Sequence, residues 1–170
     1  GINWSIQLRV NLVDQELLST MKASGCNHIV YGYESMDDDL LDIMQKGVTS
    51  AEIEHAVRAT KNAEITAHGN FIFGHPGETE KSIDKTLSFY RENRSYCFGL
   101  AMTLPLPGST IFESLVKQSG DGDHLMRYFG HPSNEDFVNF SEVSDRKLEW
   151  VKFIMGMEPA VNRVRKYDFV

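Results

Sequence analysis

Apolar and polar residues alternate cleanly at the start of the chain. Trp4, Ile6, Leu8 and Val10 are apolar, while Ser5, Gln7 and Arg9 are polar. This period of two predicts a strand over 4–10. The period then changes. Asp14 is placed to cap a helix with Leu17, Leu18 and Met21 on one side, and Gly25 stops it. The exchange recurs three times. A second strand over 28–34 leads to a short helix from about Asp37 to Met44, closed by Gly47. Thr49 and Glu52 have capping-box spacing and open a helix carrying Ile53, Ala56, Val57 and Ala63. A third strand over 65–73 ends in Gly74-His75-Pro76-Gly77, and Thr79 caps the next helix, with Ile83, Leu87 and Tyr90 as its apolar stripe. A fourth strand over 96–104 runs into Pro105-Leu106-Pro107-Gly108, which cannot continue a ladder. A helix over about 110–118 follows. Residues 119–136 are rich in Gly, Asp, His and Ser and predict a long loop. A last helix from Ser144 carries Leu148, Val151, Ile154 and Met155, and Pro159 breaks it.

Strands alternating with helices imply an α/β fold with parallel strands. Parallel strands covered on both faces read as continuous apolar runs. These do not: the first has Ser5, Gln7 and Arg9 along one face, the third Thr66, His68 and Asn70. Such groups in a dry core would each need a partner. The pattern predicts a partial (β/α) barrel of about four βα units, apolar faces on outer helices and polar faces on a lumen holding a polar ligand. The alternative is a sheet with one solvated face. Residues 1–118 form the barrel part, and 119–170 a loop and helical extension.

Composition narrows the function. The 170 residues fit one domain, and a net charge of −7 argues against broad binding to nucleic acid or anionic membranes. No apolar run reaches the length of a membrane span. Two separated cysteines, Cys26 and Cys97, suit a reducing cytoplasm and read as buried small hydrophobes. The chain opens at Gly1, which suggests a start lying upstream. His68 and His75 lack a third ligand, so no metal is expected. Glu78 with Glu80, and Asp37-Asp38-Asp39, read as helix-start charges. Tyr31, Tyr33, Phe71 and Phe73 read as outer-face core, and the turn at 74–77 matches no phosphate-binding loop.

Three strand ends carry the chemistry: Gly32-Tyr33-Glu34-Ser35, Asn70-Phe71-Ile72-Phe73-Gly74-His75-Pro76-Gly77-Glu78, and Thr103-Leu104-Pro105-Leu106-Pro107-Gly108. With Lys46-Gly47, and in this order, they resemble the radical S-adenosylmethionine superfamily over about 4–117, closest to its cobalamin-associated and methylthiotransferase-like branches. The resemblance implies that S-adenosylmethionine lies across the strand tops. Arg9 would then pair with its carboxylate. Glu34 or Ser35 would meet a ribose hydroxyl or the ammonium. Asn70, Ile72, Thr103 and Leu104 would lie near adenine. Salt bridges or caps at Arg9 and Glu34, and plain core at Ile72, are the structural alternatives. The family's CxxxCxxC loop, which holds a 4Fe–4S cluster, is missing here. The chain is therefore expected to be inactive alone, the carboxyl half of a radical iron–sulfur oxidoreductase core. Its partner would be the amino half of the barrel, with cobalamin on an upstream domain and a small-molecule or modified substrate. Open strand edges would also allow a homodimer. The rival readings are a non-catalytic scaffold module and an ordinary small hydrolase or aldolase. The latter lacks a Gly-x-Ser-x-Gly elbow.

Overall fold

The computed structural model describes residues 1–97, 99–120, 122 and 139–155. Four parallel strands, β1 (Trp4–Leu8), β2 (Cys26–Glu34), β3 (Thr66–Phe73) and β4 (Gly99–Met102), form one sheet in sequential order. Helix α1 (Gln15–Ala23) connects β1 to β2. Helices α2 (Asp38–Ile43) and α3 (Ser50–Asn62) connect β2 to β3, α4 (Glu80–Glu92) connects β3 to β4, and α5 (Thr110–Ser119) follows β4. Parallel neighbours need such crossovers, because a tight hairpin reverses direction.

The helix starts are where their side-chain chemistry puts them. Asp14 accepts a hydrogen bond from the Leu17 N–H at 2.7 Å, and Asp37 accepts from Leu40 at 3.1 Å. Thr49 and Glu52 close a reciprocal capping box on α3, as do Thr79 and Ser82 on α4. Thr49→Ala removes half of that box. It is expected to lower stability by about 1 kcal/mol, read as a shift in the urea midpoint.

Alternation in β2 and β3 sorts the two faces. Ile29, Tyr31 and Tyr33 of β2 and Ala67, Phe71 and Phe73 of β3 are buried against Leu18, Met21, Ile53, Val57, Ile83, Leu87 and Phe89 of the helices. The four aromatics are thus core, as the sequence predicts. On the other face His28, Val30, Gly32 and Glu34 alternate with them, beside His68, Asn70 and Ile72, and all are half-buried. His28 and His68 meet edge to face, with ring centres 4.5 Å apart. Among the described residues no group of three or more metal-ligating side chains forms.

Two strands are shorter than their sequence pattern. β1 ends at Leu8 because Val10–Leu12 turns back as a 3-10 helix, with Leu12 N–H donating to Arg9 C=O at 3.2 Å. β4 starts at Gly99, after a second 3-10 turn at Arg94–Tyr96. Residues 145–155 are helical, and Val143, Leu148 and Val151 join the same core as the strands. Most of the loop over 119–136, and the break at Pro159, fall outside the described residues.

Candidate functional site

The carboxyl ends of the strands gather the polar side chains, as parallel α/β folds do. β2 ends in a distortion. Its pairing with β3 shifts between Gly32 and Glu34, and Ser35 N–H donates to Tyr33 C=O at 2.8 Å across Glu34. Glu34 sits at φ +64°, a conformation that glycine adopts freely and glutamate does not.

Glu34 Oε1 accepts from Lys46 Nζ at 2.5 Å. The pair lies directly over Gly32, where a Cβ would come within 2.5 Å of Glu34 Oε1 and 2.9 Å of Lys46 Nζ. Glycine at 32 is what leaves this space open. The Lys46 carbonyl in turn accepts from Arg9 Nη2 at 2.7 Å, and Arg9 Nε reaches Asn11 Oδ1 at 3.4 Å. Arg9, Glu34 and Lys46 line a pocket of about 290 Å³ with Gln7, Leu8, Val10, Gly32 and Val48.

The other sequence candidates are distributed along the rim and the adjacent face. Asn70 pairs in register with Gly32 on one side and Gly99 on the other. A Cβ at Gly99 would overlap the Asn70 carboxamide, so that glycine gives Asn70 its room. Asn70 neighbours the pocket without lining it. Ile72 lies next on the same face, half-buried and paired with Ala101. Thr103 is buried and its Oγ1 has no hydrogen-bond partner among the described residues, while its N–H donates to Phe73 C=O at 2.8 Å. Leu104 is exposed. Ser35 is buried, and its Oγ accepts from the Asp37 N–H at 3.1 Å, so its hydroxyl serves the start of α2 and is not part of the pocket lining.

Two residues have roles that the sequence pattern did not disclose. Lys46 is brought over β2 by a loop with positive φ at Gln45 and Gly47. Glu78 is not a helix-start charge: it is 2% exposed, and its Oε2 accepts from Gly74 N–H at 2.6 Å. Burial pushes its carboxyl up to about 7, and the Gly74 bond offsets only part of that rise. His75–Glu78 forms a tight turn, with Glu78 N–H donating to His75 C=O at 3.0 Å, Pro76 second and Gly77 third at φ +84°. Phe140 N–H donates to Gly74 C=O at 3.0 Å.

A family model, the radical SAM superfamily, matches residues 1–90. An uncharacterized methyltransferase of Pyrococcus horikoshii is 30% identical over 115 residues, covering 68% of this chain and 25% of that protein. The anaerobic magnesium-protoporphyrin IX monomethyl ester cyclase of Rubrivivax gelatinosus is 29% identical over 160 residues, 92% of this chain and 29% of that one. Among solved structures, a radical S-adenosylmethionine methyltransferase from Kitasatospora setae with cobalamin and a 4Fe–4S cluster bound aligns with a TM-score of 0.55. It is 22% identical, over 62% of this chain and 21% of that chain. The chain belongs to the radical S-adenosylmethionine superfamily. It spans about a quarter of the length of the curated relatives it matches.

Family membership brings S-adenosylmethionine and a 4Fe–4S cluster as cofactors. The residues present fit the first. A small pocket carries two cations and a carboxylate, and Thr103 keeps a buried hydroxyl without a hydrogen-bond partner among the described residues. They do not fit the second. The sequence holds two cysteines, both buried, and burial pushes the Cys97 thiol up to about 12, far from the thiolate that iron requires.

Proposed function

We propose that this chain is the carboxyl half of a radical S-adenosylmethionine barrel and holds part of that cofactor at the ends of β1 and β2. The observation that carries the reading is the pocket of Arg9, Glu34 and Lys46 at the carboxyl edge of a parallel sheet. In the assembled enzyme S-adenosylmethionine and its cluster supply the hydrogen-abstracting radical. The residues here bind and orient. Glu34, a pure acceptor when ionised, receives a hydroxyl or ammonium donor. Asn70 offers both a donor and an acceptor beside it, and Thr103 offers its unused hydroxyl.

The cluster ligands belong to the amino half of the barrel, and the chain alone is catalytically silent. That half would add its strand to β1, whose residues Ser5, Ile6 and Gln7 are exposed. The Kitasatospora methyltransferase binds cobalamin, and a cobalamin site of the longer protein would lie on a separate upstream domain.

Calorimetric titration of the chain with S-adenosylhomocysteine, a stable stand-in, tests the reading. Saturable binding is expected, with about a tenfold loss in Glu34→Ala, the worth of one charge-assisted hydrogen bond. Heat that never saturates would overturn the pocket assignment. Anaerobic reconstitution with iron and sulfide is expected to leave the chain colourless, and a brown cluster would place ligands within it.

A further inference from the structure

Helix α4 grips the loop that follows β2 at two successive residues. Thr86 Oγ1 accepts from the Met36 N–H at 3.0 Å, and Lys85 Nζ donates to Asp37 Oδ2 at 2.5 Å. Met36 and Thr86 are both buried, whereas the Lys85 side chain is half exposed. The helix is a firm anchor, because Ile83, Leu87, Phe89 and Tyr90 fix it in the core.

The loop so held begins at Glu34. The ladder to β3 ends at the Glu34–Phe71 pair, so the buried Met36 N–H lies beyond it and needs another acceptor. Two residues earlier Glu34 holds φ +64°, a backbone that a non-glycine residue keeps only where its flanks are fixed. One flank is Tyr33, fully buried, with its hydroxyl on Tyr96 C=O. The other carries bonds within the loop itself: Ser35 N–H to Tyr33 C=O at 2.8 Å, and Asp37 N–H to Ser35 Oγ at 3.1 Å. These shape the loop but would travel with it, whereas Thr86 and Lys85 tie it to a separate element. Rotation about the Glu34 N–Cα bond carries the side chain along, so φ decides whether the carboxylate falls over Gly32, where Lys46 meets it.

We propose that Thr86, with Lys85 beside it, is the positioning residue for Glu34: α4 fixes the carboxyl-side flank of the loop and so keeps the carboxylate in the pocket, preorganised for its ligand. The inference rests on the nucleoside-sulfonium reading above. It adds a residue from outside the pocket lining, acting through the loop alone.

Calorimetric titration of the full 170-residue chain with S-adenosylhomocysteine tests this through a double-mutant cycle. Thr86→Val removes the acceptor and is expected to weaken binding about fivefold, near the worth of one neutral hydrogen bond. In a Glu34→Ala background the same change should weaken it by less than about twofold, because no carboxylate is left to position. Thr86→Ser keeps the hydroxyl and should restore the affinity. Thr49→Ala, which removes a cap from α3 and does not touch this loop, should lower stability yet leave the affinity unchanged, and so separates positioning from general loosening. If Thr86→Val fails to fold by circular dichroism, Lys85→Met takes its place in the cycle, since a half-exposed site tolerates the change. No loss in the variant that folds, or the same loss with and without the Glu34 carboxylate, would overturn the proposal and leave the pocket standing. Absence of S-adenosylhomocysteine binding by the unaltered chain would instead remove the pocket reading, and this inference with it.

Discussion

Gly69→Ala is expected to cost at least about 3 kcal/mol, the upper end of overpacking penalties, and to leave little folded protein at modest urea. A Cβ at this position would fall within the Tyr33 ring. That ring has nowhere to go. Tyr33 is fully buried, packs on Tyr31, Phe71 and Phe89, and donates its hydroxyl to Tyr96 C=O at 3.2 Å. Close packing on all sides means the strand must move if the ring cannot. The partner substitution checks the mechanism. If the ring is the obstacle, Gly69→Ala combined with Tyr33→Leu should lose less than the two single changes summed. Strict additivity would mean that the damage at 69 has another source.

Acidification from pH 8 to pH 5 is expected to stabilise the protein through Glu78, by up to about 3 kcal/mol at 1.36 kcal/mol per pH unit. The sign follows from a folded value of about 7 against the ordinary carboxyl value of 4.5. Below 4.5 the carboxyl is protonated in both states and burial costs nothing extra. Between the two values only the folded chain holds the proton, so stability declines as pH rises. Above 7 the ionised group in its buried niche carries the whole cost. Glu78→Gln keeps an acceptor for the Gly74 N–H and abolishes the titration. The urea midpoint should therefore fall from pH 5 to pH 8 in the unaltered chain and stay flatter in the variant. Parallel profiles would show that Glu78 is charged where it sits. Asp37 does not confuse the measurement. Burial raises its carboxyl, but the bonds from Lys85 and from the Leu40 N–H outweigh that and bring it below the usual range. Its stabilisation fades only at more acid pH.

Much of the fold is legible because local chemistry and pattern agree. The helix starts at Asp14, Asp37, Thr49 and Thr79 are written by capping residues, and the core face of β2 and β3 by a period of two. What local pattern does not carry is where a strand stops pairing. Val10 continues the apolar alternation of β1, yet it is buried in a 3-10 turn. The site divides the same way. Arg9 follows from alternation and Glu34 from the resemblance carried by the second strand end, and both line the pocket. Lys46 enters the sequence reading only as part of the Lys46-Gly47 motif, with no role attached, because its place over β2 comes from a loop that folds back. Glu78 misleads for a related reason: an acidic residue next to a helix start ordinarily faces solvent, and only the turn at 74–77 draws this one inside.

The hydrogen bond from Phe140 to the Gly74 carbonyl changes how the molecule can be dissected. An expression boundary set soon after α5 would look like the trimming of a tail. It would instead strip a carbonyl of its donor at the strand-top turn and uncover the niche filled by Leu148 and Val151. Shortened versions of this chain should therefore be cut beyond the helical stretch over 145–155, since the rim of the sheet is braced by the segment that leads into it.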